Sequence, residues 1–310
     1  MKVFITGGTG TLGSALVRDA IAHKEEWSEP WDITVFSRDF LKQAAMKKKY
    51  PQVRFVLGDI CDYDGLYGAM VGHDLVVHAA ANKHIPACED NPFEAVRINF
   101  NGSMNVLAAA ATAGVWKVVG VSTDKVCQPE SVYGMTKALM EKEFLKSSLA
   151  GLTKISLCRY GNVLGSNGSV LTVWKRQADA GQPITITDPA MTRFWLSERQ
   201  AVGLVHAAVN APNGWIVIPK ALACSMGKFA NLAYPDAQKV VVGVRGGEKS
   251  HEDLLTAGEA LRMVDAGTYW YLTPDQQDDP DILEDPHVVG GYSSKFPIRE
   301  MTAADLAEMR

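Results

Sequence analysis

Short, almost continuously apolar runs recur along the first half of the chain and alternate with longer amphipathic stretches. Lys2–Thr6, Ile33–Phe36, Val53–Leu57, Leu75–His78 and Lys117–Ser122 are rich in aliphatic and β-branched residues, as strands buried on both faces are. Leu12–His23 and Pro92–Thr112 lie between such runs and carry their apolar residues at helical spacing. Strands that alternate with helices predict an α/β fold with a doubly wound parallel sheet.

From about Tyr160 the texture changes to glycines, prolines and short mixed segments, as in GNVLGSNGSV and GVRGGEKSHEDLL. This predicts a smaller α+β substrate-binding lobe. The expected division is residues 1–161 for the sheet domain and 162–310 mainly for the lobe, with 197–218 returning to the sheet through a helix near Ser197–Ala211. The acidic tract Asp275–Asp285 reads as a surface loop, Lys47-Lys48-Lys49 as a solvated helix end, and Thr302–Arg310 as a helix.

At 310 residues, 47% hydrophobic and 21% charged, the chain has an ordinary globular composition. A net charge of −4 and no basic stripe argue against a nucleic-acid surface. No apolar run reaches the roughly 18 residues of a membrane span, and the opening MKVFITGG runs as a strand into glycines rather than as a leader. Five scattered cysteines without a C-x-x-C pair suit reduced thiols and no metal site. A cytoplasmic protein is expected.

Between the first strand and helix stands Thr6-Gly7-Gly8-Thr9-Gly10-Thr11-Leu12-Gly13, with Gly7, Gly10 and Gly13 three apart. Glycines there let backbone approach a pyrophosphate, and the helix N-terminus favours its charge. Gly7, Thr9, Gly10, Thr11, Leu12 and Gly13 are therefore candidate contacts for a dinucleotide on a Rossmann-type sheet. The second strand ends in Phe36-Ser37-Arg38-Asp39, where an NAD site usually carries an acid for the ribose 2′-hydroxyl. Ser37 and Arg38 suit a 2′-phosphate, so NADP is favoured, with NAD the alternative through Asp39. Asp59-Ile60 closes the third strand, where a carboxylate can accept from the adenine amino group. Ala79-Ala80-Ala81 after the fourth strand lets backbone pass close to the cofactor.

Tyr133-Gly134-Met135-Thr136-Lys137 places a tyrosine and a lysine four apart, on one face of a helix. The lysine can hold the cofactor ribose, and its charge is expected to lower the tyrosine from its usual value near 10. Such a phenolate takes a proton from a sugar hydroxyl while hydride leaves the same carbon.

With these residues the chain resembles an extended short-chain dehydrogenase/reductase over almost its whole length, and within that group the inverting UDP-N-acetylglucosamine 4,6-dehydratases. The resemblance is carried by Ser122-Thr123-Asp124-Lys125, Tyr133–Lys137, Arg159-Tyr160-Gly161-Asn162-Val163-Leu164-Gly165-Ser166, Thr187–Trp195, Arg245-Gly246-Gly247-Glu248-Lys249 and Ala87–Pro92. It implies that Thr123, Asp124, Lys125, Tyr133 and Lys137 form the catalytic group. Retaining relatives carry Asp-Glu where this chain has Asp124-Lys125, and simple 4-epimerases lack the acid/base pair.

Oxidation at sugar C4 acidifies the C5 proton. A neutral Lys125 can remove that proton, and a protonated Asp124 can send off the C6 hydroxyl. The resemblance further implies that Lys83 lies near sugar and cofactor, that Asn162 and Arg245 approach the diphosphate of a UDP-sugar, that Glu248 meets the uridine ribose, and that Arg193 is another substrate contact. UDP-N-acetylglucosamine is the expected substrate, and a homo-oligomer the expected assembly. His84 and His251 have no evident chemical partner. Gly246 stands where the family has proline, and Asn82 where it has an apolar residue. The competing readings are a UDP-sugar 4- or 5-epimerase and a non-catalytic NADP-binding regulatory protein.

Overall fold

The computed structural model describes residues 1–23, 30–149, 151–166, 168–274, 288 and 290–309. The first half follows the predicted alternation: β1 (Lys2–Thr6), α1 (Thr11–Ala22), β2 (Asp32–Ser37), α2 (Phe40–Lys49), β3 (Arg54–Leu57), α3 (Tyr63–Met70) and β4 (Leu75–His78). Next come α4 (Ile85–Asp90), α5 (Pro92–Val96), α6 (Gly102–Thr112), β5 (Lys117–Val121), α7 (Val132–Ser148) and β6 (Lys154–Cys158). Beyond β6 lie β7 (Asn162–Val163), α8 (Val170–Asp179), β8 (Ile184–Ile186), β9 (Thr192–Leu196), α9 (Glu198–Asn210) and β10 (Ile216–Pro219). The last part holds β11 (Leu222–Ser225), α10 (Met226–Ala233), β12 (Lys239–Val241), β13 (Asp253–Thr256), α11 (Ala257–Ala260), β14 (Met263–Asp265), β15 (Tyr269–Leu272), β16 (Gly291–Ser293) and a helix at Ala303–Met309.

Nine strands form one sheet in the order β14-β15-β10-β6-β5-β4-β1-β2-β3. The run from β10 to β3 is parallel, so the fold is the α/β doubly wound sheet expected. Period-two alternation sorts side chains between its faces: Val3, Ile5, Leu75 and Val77 pack with α1 and α9 on one side, Phe4, Val76 and Val118 with α3, α6 and α7 on the other. Each fully buried side chain of this kind stabilises the fold by roughly 1.5–3 kcal/mol. Strand order reverses between β1 and β4, which opens a crevice at the carboxyl ends of those strands.

The helix α9 begins at a Ser197–Gln200 capping box and returns to the sheet ahead of β10. Residues 263–272, which the sequence reading gave to the lobe, join the main sheet as the antiparallel strands β14 and β15. They are three and four residues long, too short for alternation to show in the sequence, and buried Trp270 anchors them in the core. The lobe has a separate core around Trp174, Trp195 and Phe229. Pro92–Thr112 is helical throughout but widens into a π turn at Arg97–Asn101. Lys47, Lys48 and Lys49 at the end of α2 are exposed, the tail helix forms, and the acidic tract Asp275–Asp285 lies outside the described residues. Among the described residues no helix is long and apolar enough to cross a membrane.

Candidate active site

A cleft of about 1110 Å³ runs from the β1–α1 loop across the end of the sheet to the lobe. At one end backbone does the shaping. Gly7 has φ +68°, and a Cβ there would lie 2.7 Å from Ala80 N, so only glycine lets the loop pass the β4 end. The cap residue of α1, Gly10, contributes no side-chain hydrogen bond, and the first turn holds no acid. A helix start of this kind suits an anion. Just past Ala79–Ala81, the chain at Asn82 is held by the π turn. Buried Asn99 accepts from Asn82 N at 2.7 Å, and donates to Asn82 O at 2.9 Å and to Thr136 Oγ1 at 3.1 Å. Periodicity alone did not mark Asn99, because its role depends on the extra residue in the turn.

Thr9, Thr11, Leu12, Ser37, Arg38 and Ile60 line the same end. Asp39 caps α2, accepting from Lys42 N at 3.0 Å, and Ser37 Oγ accepts from Gln43 Nε2 at 3.0 Å. Arg38 lies 3.5 Å and Arg97 4.0 Å from Asp59 Oδ2. Burial opposes the Asp59 charge, but the Cys61 N–H and the two guanidinium groups hold its carboxyl below the usual range. An uncapped helix start, a close-packed glycine floor and a guanidinium at the β2 end fit a dinucleotide.

At the other end the shaping is done by buried charge. Helix α7 starts at Ser131, whose side chain accepts from Gly134 N. Glu89 Oε1 accepts from Val132 N at 2.7 Å, which ties the Ala87–Pro92 segment to the start of α7. This start sets Tyr133 and Lys137 on the face toward the cleft. Gly134 is where the short 3₁₀ turn Asp124–Val126 touches α7, since a Cβ there would lie 2.4 Å from Lys125 O. That contact brings Thr123, Asp124 and Lys125 beside Tyr133. Thr123 Oγ1 donates to Asp124 Oδ1 at 2.9 Å.

Two expectations about charge are corrected. Tyr133 is not lowered by Lys137: burial pushes it up to about 12, and the groups that oppose burial are Lys125 and the Thr123 hydroxyl. Lys137 is itself lowered to about 8 by burial and donates to Met140 Sδ at 2.9 Å. Nor is Lys125 a neutral amine here. Burial disfavours its charge, but Asp124 Oδ1 at 3.0 Å and Glu252 Oε1 at 3.1 Å raise it above its ordinary value.

Glu252 was missed by the sequence reading. It is 2% exposed and comes just before β13, next to His251, so only its place four residues beyond Glu248 could have drawn notice. Arg193 Nε lies 3.9 Å from Glu252 Oε1, and its Nη1 donates to Thr192 O at 2.8 Å. Lys83, Asn162, Arg193, Arg245 and Glu248 all line the cleft. Gly247 of the Arg245–Lys249 loop sits against Glu89 and Ser131. His84 caps α4, and His251 Nδ1 lies 2.9 Å from Thr192 Oγ1, both structural uses.

A doubly wound sheet with a glycine loop at its switch point, and a tyrosine–lysine pair across the cleft, define an extended short-chain dehydrogenase/reductase fold. Residues 3–274 match the model of the family described as polysaccharide biosynthesis protein, and the chain belongs to that family. It is 36% identical over 280 residues, 88% of this chain and 83% of the relative, to the inverting UDP-N-acetylglucosamine 4,6-dehydratase of Campylobacter jejuni subsp. jejuni serotype O:2. It is 37% identical over 286 residues, 89% and 84% of the two chains, to a UDP-glucose 4-epimerase of Rickettsia canadensis. Among solved structures, that of Pen from Bacillus thuringiensis superposes with a TM-score of 0.88 at 30% identity, covering 99% of this chain and 96% of the other.

Proposed function

We propose that the protein is a nicotinamide-dependent, C5-inverting UDP-N-acetylhexosamine 4,6-dehydratase, a hydro-lyase acting on UDP-N-acetylglucosamine. The observation that carries this reading is Lys125 and Asp124 held 3.0 Å apart in the cleft that also takes Tyr133 and Lys137. The loop Gly7–Gly13 and Ala79–Ala81 hold the dinucleotide, and Lys137 its ribose. NADP is favoured because Arg38 brings a guanidinium to the cleft, while the carboxylate of Asp39, which lines it too, accepts from Lys42 N at the start of α2. The bound nicotinamide supplies one capacity, to take up the C4 hydride and give it back at C6.

The chain's own groups move the protons. Tyr133, its own phenol proton first released to solvent through the cleft, receives the proton of the C4 hydroxyl as a phenolate. Lys125 acts as base at C5 after passing its proton to Asp124 Oδ1, so a single transfer over 3.0 Å turns ammonium and carboxylate into amine and acid. Asp124 then gives that proton to the departing C6 hydroxyl, which leaves as water, and as C6 regains its hydride C5 takes a proton from solvent on the face opposite Lys125, which is the inversion. Residues 162–310 supply most of the sugar-nucleotide side, through Asn162, Arg193, Arg245 and Glu248, with Lys83 from the sheet domain.

An epimerase is the second reading, favoured by the 37% identity to the rickettsial protein named UDP-glucose 4-epimerase. Incubation with UDP-N-acetylglucosamine in deuterium oxide separates the two. A product lighter by one water, with solvent deuterium at C5, is expected of the dehydratase. A product that has lost no water overturns it.

A further inference from the structure

Lys125 has two carboxylates to lean on, and the sequence motif contains only one of them. Asp124 Oδ1 and Glu252 Oε1 stand 3.0 and 3.1 Å from its Nζ. The first is sequence-adjacent; the second arrives from the segment before β13. Both acids are buried, at 0% and 2% exposure. Asp124 Oδ2 and Glu252 Oε2 have no hydrogen-bond partner among the described residues. A buried carboxylate oxygen left unpaired is costly, and both cations near Glu252, Lys125 at 3.1 Å and Arg193 at 3.9 Å, approach its other oxygen, Oε1. Every element around the ammonium contributes: Asp124 and Thr123 from the 3₁₀ turn, Tyr133 from α7, Arg193 from β9 and Glu252 before β13. The neighbouring His251 is turned to Thr192 Oγ1.

We infer that Glu252 is a positioning residue that holds Lys125 and, as its second counter-ion, sets the pH at which that lysine becomes able to take a proton. This rests on the assignment of Lys125 as the C5 base. With both carboxylates ionised, the lysine stays an ammonium between turnovers. Once its proton has passed to Asp124, the Glu252 carboxylate draws back the proton that Lys125 collects from C5, because a buried anion favours the cation beside it. Burial raises Glu252 itself above the usual carboxylate range, while Lys125 and Arg193 oppose that rise, so its charge depends on the same two cations. The C5–H bond breaks as the lysine N–H forms, the other changes are exchanges between N–H and O–H, and the proton count is conserved.

Replacing Glu252 by glutamine keeps the shape and removes the anion. The ammonium loses support, so its midpoint falls. Two measurements on full-length protein test this. The first is the ¹³Cε resonance of Lys125 against pH in lysine-labelled protein, assigned by its loss in Lys125→Met. The second is the pH dependence of solvent-deuterium entry at C5 of UDP-N-acetylglucosamine, with NADP present. In Glu252→Gln the lysine midpoint is expected to fall by about one unit or more, tenfold in its ionisation ratio. The basic-side rise of C5 exchange should move down with it, KM should change less than kcat, and Glu252→Asp should restore most of the profile. An unmoved lysine midpoint in folded Glu252→Gln protein overturns the inference. So does a lowered midpoint whose exchange profile stays where the wild type has it. If the wild type shows no C5 exchange at all while the midpoint still falls, the Glu252–Lys125 coupling stands and the dehydratase reading is what fails.

Discussion

The loop Gly7–Gly13 and the cluster Asp124–Lys125–Glu252 share one cleft yet are made of opposite materials. The loop is backbone shaped by close approach, with one contiguous stretch doing all the work and no charged side chain in it. The cluster is buried charge gathered from the end of β5, the start of α7, β9 and the turn before β13. A steric cradle fails when an atom is added. An electrostatic one fails when an atom is removed, because the partner left behind is a desolvated ion.

The largest effect should come from Lys125→Ala. Loss of a general base is expected to cut kcat by about 10³-fold or more, with cofactor affinity within about threefold of wild type. Product assay by mass spectrometry and a fluorescence titration with NADP read the two quantities, and loss of cofactor binding would contradict the separation of the two ends.

Behind the cluster, Arg159 binds Glu141 of α7 and, at 2.8 Å, Glu259 of α11, which ties the segment carrying Glu252 to the sheet. Burial opposes the Glu259 charge, but Arg159 and Thr256 hold its carboxyl down to about 2. A depressed carboxyl stabilises the fold above its unfolded value of 4.5 and loses that contribution as pH falls towards about 2. Glu259→Gln should therefore cost about 3 kcal/mol near pH 7 and progressively less below pH 4, measured by urea unfolding. A cost independent of pH would show that packing, not charge, joins these elements.

At the glycine end, Gly7→Ala adds a methyl against Ala80 backbone at a positive φ. Weakening of cofactor binding by roughly tenfold or more is expected, since strain of about 1–3 kcal/mol is placed on the loop. Isothermal titration reads it, and unchanged affinity would mean the floor is softer than its contacts imply. The smallest effect belongs to Ser131→Ala, which removes the cap of α7. It should cost about 1 kcal/mol and lower Tm by about 2 °C, with kcat falling more than KM if the cap also aims Tyr133.

Legibility followed the same division. Thr6–Gly13, Asp124-Lys125 and Tyr133–Lys137 could be read because each is a contiguous signal at a fixed offset from a strand or helix. Asn99 could not, since it works only through a π turn that no spacing announces. The charge states of Lys125 and Tyr133 were also out of reach, because they depend on which groups burial sets beside them.

The order of strands and helices, the glycine loop and the tyrosine–lysine face were determined by the sequence itself, since hydrophobic periodicity and local turn chemistry act between near neighbours along the chain. Only the tertiary structure decided that Glu252 joins Asp124 beside Lys125 and favours its charge, and that β14 and β15 extend the main sheet. Electrostatic energy depends on distance through space and on removal from water, and neither is a property of position in the chain.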